Sequence, residues 1–197
     1  MTNIVDGYGA GYGARVGSDN RLWTYASSTP AGVVASVNNR AWTVSSDDLT
    51  FTSANESAVL YFQYSGVYKL VISALYLTVG ASTGGSGDTT FMTYRNPTNG
   101  TIVTDETVAS VGPKNFSGSA SSLLGNKYKG AEAKTTTGGT NIAVGRFSTT
   151  GLKFIDLQSN PYILEAGNSI SFSVTPPPSN TSQVNRVLIE TYELINS

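Results

Sequence analysis

Apolar residues in this chain recur at every second position, and no stretch carries the 3.6-residue period of an amphipathic helix long enough to matter. That alternation, filled with β-branched and aromatic residues, constrains the fold to strands whose two faces differ. Ser169 to Val174 is the plainest case: Ile170, Phe172 and Val174 are expected to face a core, with Ser169, Ser171 and Ser173 facing out. The stretch opens after the turn signal Glu165-Ala166-Gly167-Asn168 and closes at Pro176 to Pro178. A second strand is expected from Arg186 to Leu194, where Leu188 and Tyr192 leave both faces partly apolar. Such a strand is covered on each side, by a second sheet or by a neighbouring subunit.

Ala58 to Tyr64 and Val67 to Val79 flank Ser65-Gly66 and read as a central hairpin. Further strands are expected at Thr89 to Tyr94, Thr101 to Ala109, Lys127 to Ala133, Ile142 to Phe147 and Leu152 to Leu157. Their number and spacing predict an all-β fold, a two-sheet antiparallel sandwich of jelly-roll type, with no helix. Residues 1–30 stand apart as a Gly/Tyr-rich segment, read either as a disordered tail or as an extended N-terminal arm that orders only against a partner, ahead of a single sandwich domain at 31–197, and within it Gly7-Tyr8-Gly9-Ala10 is echoed by Gly11-Tyr12-Gly13-Ala14. The glycine-rich loop Gly80 to Asp88 and the stretch Thr135 to Thr140 read as mobile.

Function is narrowed mainly by what the composition lacks. The chain has no His and no Cys, which removes His-based triads, thiolate chemistry, His-ligated metals and disulfides. No cofactor or metal is expected. A net charge of -1 with only 13% charged residues, and no block of like charge, argues against nucleic acid or an anionic membrane as partner. No signal peptide and no apolar run of membrane-spanning length is read from the sequence. The glycine loops match neither a P-loop nor a dinucleotide fingerprint. Asp47-Asp48 and Asp105-Glu106 are adjacent acidic pairs, but strand neighbours point to opposite faces, so they are expected to be solvated turn residues and the chain is not expected to be an enzyme. The sequons at Asn55, Asn99, Asn115 and Asn180 follow from the composition. Trp23 and Trp42, each two residues after an arginine, suit core packing, partner contact or sugar stacking.

Several phrases resemble a group of small structural proteins from tailed bacteriophages. These are the Gly-rich opening with Ser18-Asp19-Asn20-Arg21-Leu22, then Leu49-Thr50-Phe51-Thr52-Ser53-Ala54-Asn55-Glu56-Ser57, Arg95-Asn96-Pro97-Thr98-Asn99-Gly100-Thr101-Ile102-Val103, and Tyr128-Lys129-Gly130-Ala131-Glu132. The resemblance implies a capsid decoration or cement protein on the outer surface of the virion, made in the host cytoplasm. It implies a homotrimer, with the major capsid protein as partner. Capsid contacts are then expected at Tyr8, Tyr12, Arg15, Arg21, Trp23 and Trp42, with the arm as anchor. The alternative is a receptor-binding or fibre-tip module of the same virion, recognising host glycan through its tryptophans or tyrosines.

Overall fold

The computed structural model describes residues 31–114 and 122–194, with the backbone of two short strands before them. The chain divides into two units, Met1–Pro30 and Ala31–Ser197. In the first, β1 (Arg15–Val16) and β2 (Leu22–Trp23) form an antiparallel ribbon that sets Arg15 opposite Trp23. The rest of that unit lies outside the described residues.

The second unit begins with a short helix, α1 (Ala31–Val37), and continues through β3 (Ala41–Ser45), β4 (Leu49–Phe51), β5 (Ser57–Tyr64), β6 (Lys69–Val79) and β7 (Thr89–Arg95). Then follow β8 (Ser110–Pro113), β9 (Gly125–Lys129), β10 (Thr140–Phe147), β11 (Gly151–Asp156), β12 (Tyr162–Leu164), β13 (Ser169–Thr175) and β14 (Gln183–Leu194). One sheet runs β10-β7-β13-β5-β9; the other runs β11-β6-β14-β3-β8, with β12 beside β6 and β4 beside β14. Set aside the short strands β4, β8, β9 and β12, and number the remaining eight in chain order. One sheet then reads first-eighth-third-sixth and the other second-seventh-fourth-fifth, every pair antiparallel. That is jelly-roll order, so the expected all-β sandwich is the observed architecture.

The core lies between the sheets. Val44, Phe62, Ile72, Leu77, Phe172, Val187 and Ile189 are all 2% exposed or less. Alternation is clearest in β7 and β14, where buried residues take every second place. A bulge between Glu190 and Thr191, opposite Ser73 of β6, re-phases the long β14–β6 ladder.

Several expectations are corrected. β5 and β6 are not a hairpin: β5 pairs with β13 and β9, β6 with β14, β11 and β12, so the chain crosses from one sheet to the other at residues 65–68. Thr101 to Ala109 is chiefly turn, with Val108 making an isolated bridge to Tyr128. The strand expected at Lys127 to Ala133 ends at Lys129. The serines of β13 do not face water; Ser169, Ser171 and Ser173 are 4% exposed or less, because loops cover the outer face of their sheet. Both stretches read as mobile are tied by bridges, Thr83 to Ser182 and Thr137 to Asn99. Helix α1 was not expected; it is seven residues long, and only Ala35 of it is buried.

Candidate docking face

The acidic pairs singled out in the sequence hold turns. Asp47, at φ 59°, accepts hydrogen bonds from Ser110 Oγ at 2.9 Å and Lys129 Nζ at 3.2 Å. The Ser110 bond, aided by Lys129 and Arg186 and opposed by burial, holds its carboxyl below the usual range. Asp48 lies 3.6 Å from Arg186. Asp105 takes Lys134 at 2.7 Å and the Thr107 amide at 2.8 Å; burial raises its carboxyl, and these contacts outweigh it, leaving the group depressed. The sequon asparagine Asn180 is 4% exposed and donates to the Phe51 and Ser53 carbonyls, so its amide is spent inside the fold.

Of the expected capsid contacts, Tyr8, Tyr12 and Arg21 lie outside the described residues, and of Arg15 and Trp23 only the backbone pairing is described. Trp42 is corrected. It sits in β3 at 2% exposure within the core cluster, because its strand position shares a phase with Val44, so its ring is inside the sandwich and offers no platform to a sugar or a partner.

Three phrases behind the phage resemblance meet at one place. The turn after Arg95 brings Ile102, fully buried, onto Ala58 and Tyr61 of β5, outside the five-stranded sheet. Thr101 and Thr135 exchange hydrogen bonds, 3.1 Å from the Thr101 amide and 2.9 Å from the Thr135 amide, which lays residues 130–139 beside that turn. Glu132 reaches back to the Thr52 amide and hydroxyl at 2.9 and 2.7 Å. Glu56 accepts from Tyr94 and Ser173 at 2.8 and 2.6 Å. Tyr94, buried first and then facing that carboxylate, has its phenol pushed up to about 12 and remains a donor. Gly130 is required by space: a Cβ there would lie 1.7 Å from the Ala58 carbonyl oxygen. These three phrases therefore build a covering layer over one sheet.

One end of the sandwich holds a polar cluster that sequence reasoning missed. Glu193 of β14, its side chain 7% exposed, accepts from Tyr64 Oη at 2.6 Å and pairs with Arg40 Nη1 at 2.9 Å. Arg40 in turn lies 4.4 Å from the centre of the Tyr68 ring. Burial and then Glu193 push the Tyr64 phenol far up. The signal was an acid in the buried phase of a terminal strand.

Among the described residues, the outer face of the other sheet is most exposed along its β11 side. Register aligns Phe154, Tyr76, Leu188 and Ser45 in one row across β11, β6, β14 and β3. Phe154 is 55% exposed and Leu152 beside it 64%, with the Phe154 and Tyr76 rings 5.0 Å apart. One row away stands Arg186; on the other side stand Glu190 and Asp156. Glu190 is held by Lys114 and by a 3.4 Å contact from Tyr76 Oη. The two flanks of the sandwich also differ. On one, residues 107–109 bond to β9 and continue as β8 beside β3, so the chain crosses between the sheets and closes them. The other carries the sheet edges β10 and β11.

A jelly roll is an architecture shared by capsid and lectin domains and by cupins, and fold alone does not choose among them. Among the described residues no group of three His, Cys, Asp or Glu side chains is placed to hold a metal, and no helix is long and apolar enough to cross a membrane. No protein-family model matches the chain, and no curated protein matches it. Among solved structures it is similar to the VP2 subviral particle of infectious bursal disease virus at 13% identity and a TM-score of 0.24, over 93% of this chain and 46% of that one. T=1 particles derived from the same virus match at 10% identity and a TM-score of 0.19, over 92% and 44%. The chain thus spans less than half the length of the solved chains it matches.

Proposed function

We propose that this chain is a tailed-phage virion structural protein that decorates the capsid and stabilises it by bridging neighbouring major capsid proteins. The observation that carries the reading is the convergence of the phage-like phrases on one covering layer, where Ile102, Gly130 and Glu132 do structural work. The acidic pairs fit the same reading, since Asp47, Asp48 and Asp105 each face a cation, and a non-catalytic role is part of the proposal. Residues 1–30, separate from the sandwich unit, are the proposed anchor onto the capsid. The experiment is electron microscopy of virions carrying the intact chain or one lacking residues 2–24. Density of this size on the head lattice, lost on the truncation, is the expected result. Density at the tail tip instead would overturn it in favour of a receptor-binding module, and full decoration by the truncated chain would move the anchor to the sandwich.

A further inference from the structure

The row on the seven-stranded sheet, half-buried at Tyr76 and Leu188 and exposed at Phe154, lies between two charges of opposite sign on β14. Arg186, 3.6 Å from Asp48, and Glu190, paired with Lys114, stand two residues to either side of Leu188 on β14, one cationic and one anionic, with the row Phe154, Tyr76 and Leu188 between their rows. Successive same-face residues of a strand are separated by about 6.8 Å, so the two charges are equidistant from the apolar row. A two-fold axis lying in the interface along that row reverses strand direction and keeps position across the sheet. It lays Phe154 on Phe154 and Leu188 on Leu188, and it sets Arg186 of each copy against Glu190 of the other. Asp156, on β11 in the row of Glu190, then faces the row of Leu152. Sheets packed face to face keep their strands close to aligned, which this axis satisfies with antiparallel strands.

Edge-to-edge addition of a strand is disfavoured at the open flank. β10 carries a register shift between Asn141 and Ala143, and the edge strand β11 carries Lys153, whose Nζ bonds Thr149 Oγ1 at 2.6 Å in the adjoining exposed turn. A bulge and a lysine on an edge strand are both devices that stop a sheet edge from recruiting another strand. Association is thereby directed to the face.

We infer that a second copy of this chain docks on the outer face of the seven-stranded sheet, two-fold related along the Phe154–Tyr76–Leu188 row, with reciprocal Arg186–Glu190 pairs. This pairing is independent of the virion reading and is tested on the purified full chain in solution. Sedimentation equilibrium should find a dimer, and Phe154→Ser should weaken it. Arg186→Glu alone and Glu190→Arg alone should each weaken it about tenfold or more, since like charges then face each other at both contacts. Mixing the two charge variants should restore pairing, because each contact of the mixed dimer again joins opposite signs. Circular dichroism and melting of each variant show that it is folded, and Arg186→Gln serves if a reversal is not. A monomer throughout the micromolar range, a trimer indifferent to these substitutions, or a mixture that stays unpaired would overturn the inference.

Discussion

Glu193 shows what a single side chain can require of its surroundings. A carboxylate withdrawn from water is costly unless its lone pairs are met, and here Tyr64 and Arg40 meet them. Tyr64→Phe keeps the ring but removes the donor. Hydrogen bonds to charged groups contribute about 1.5–3 kcal/mol, so a loss of that size is expected in urea unfolding. Glu193→Gln should cost less than Tyr64→Phe if desolvation of the charge dominates, and the same titration checks it. At this scale the sequence was legible where one face is wholly apolar and illegible where small polar residues are buried. Alternation turns Ser171 to solvent because it distinguishes faces and says nothing about what covers each; in the fold Thr136, from a covering loop, meets its hydroxyl at 2.8 Å. Trp42 is ambiguous in the sequence for the converse reason, since Thr43 lies on the other phase of β3 and Arg40 precedes the strand.

Among the elements, the covering layer is the most informative. Ile102, fully buried, anchors it on Ala58 and Tyr61, and Ile102→Ala should cost about 2–4 kcal/mol by the loss of buried methylenes and the cavity left behind. Asp105 clasps the same turn to Lys134. Its carboxyl is depressed in the folded chain, so the stability it contributes is present above the unfolded value and lost as pH falls through the folded one. The window therefore lies below about pH 4. Asp105→Asn should lower stability at neutral pH and flatten the decline below pH 4, read by melting temperature across an acid series. Strands β7, β10, β11, β13 and β14 were readable from alternation and turn residues. Thr101 to Ala109 reads as a strand because Thr, Ile and Val favour strands, whereas here the segment is committed to capping a sheet, with Ile102 and Ala109 buried at its two ends. The pairing of β5 and β6 was misread because a short link between two apolar runs does not say whether the chain turns within a sheet or steps across to the other.

For the whole molecule, the sandwich unit carries its own core, so residues 31–197 alone should give a β-type circular dichroism spectrum and melt cooperatively near the temperature of the intact chain. A helical spectrum or the absence of a transition would contradict this. The overall architecture was legible because strand count and spacing leave few alternatives; the docking face was not, because it exists only once register places Phe154, Tyr76 and Leu188, from three separate strands, side by side. The Glu193 amide bonds the Arg40 carbonyl at 2.9 Å, so the start of β3 and the end of β14 meet at one corner. A pull applied through the chain before β3 and after β14 would load neighbouring ends of two antiparallel strands. Their bonds would then open one rung after another, as a zipper does, instead of sharing the load in shear. The sandwich hung by those two ends is weak in that direction, and its mechanical strength in any assembly has to come from contacts made elsewhere on its surface.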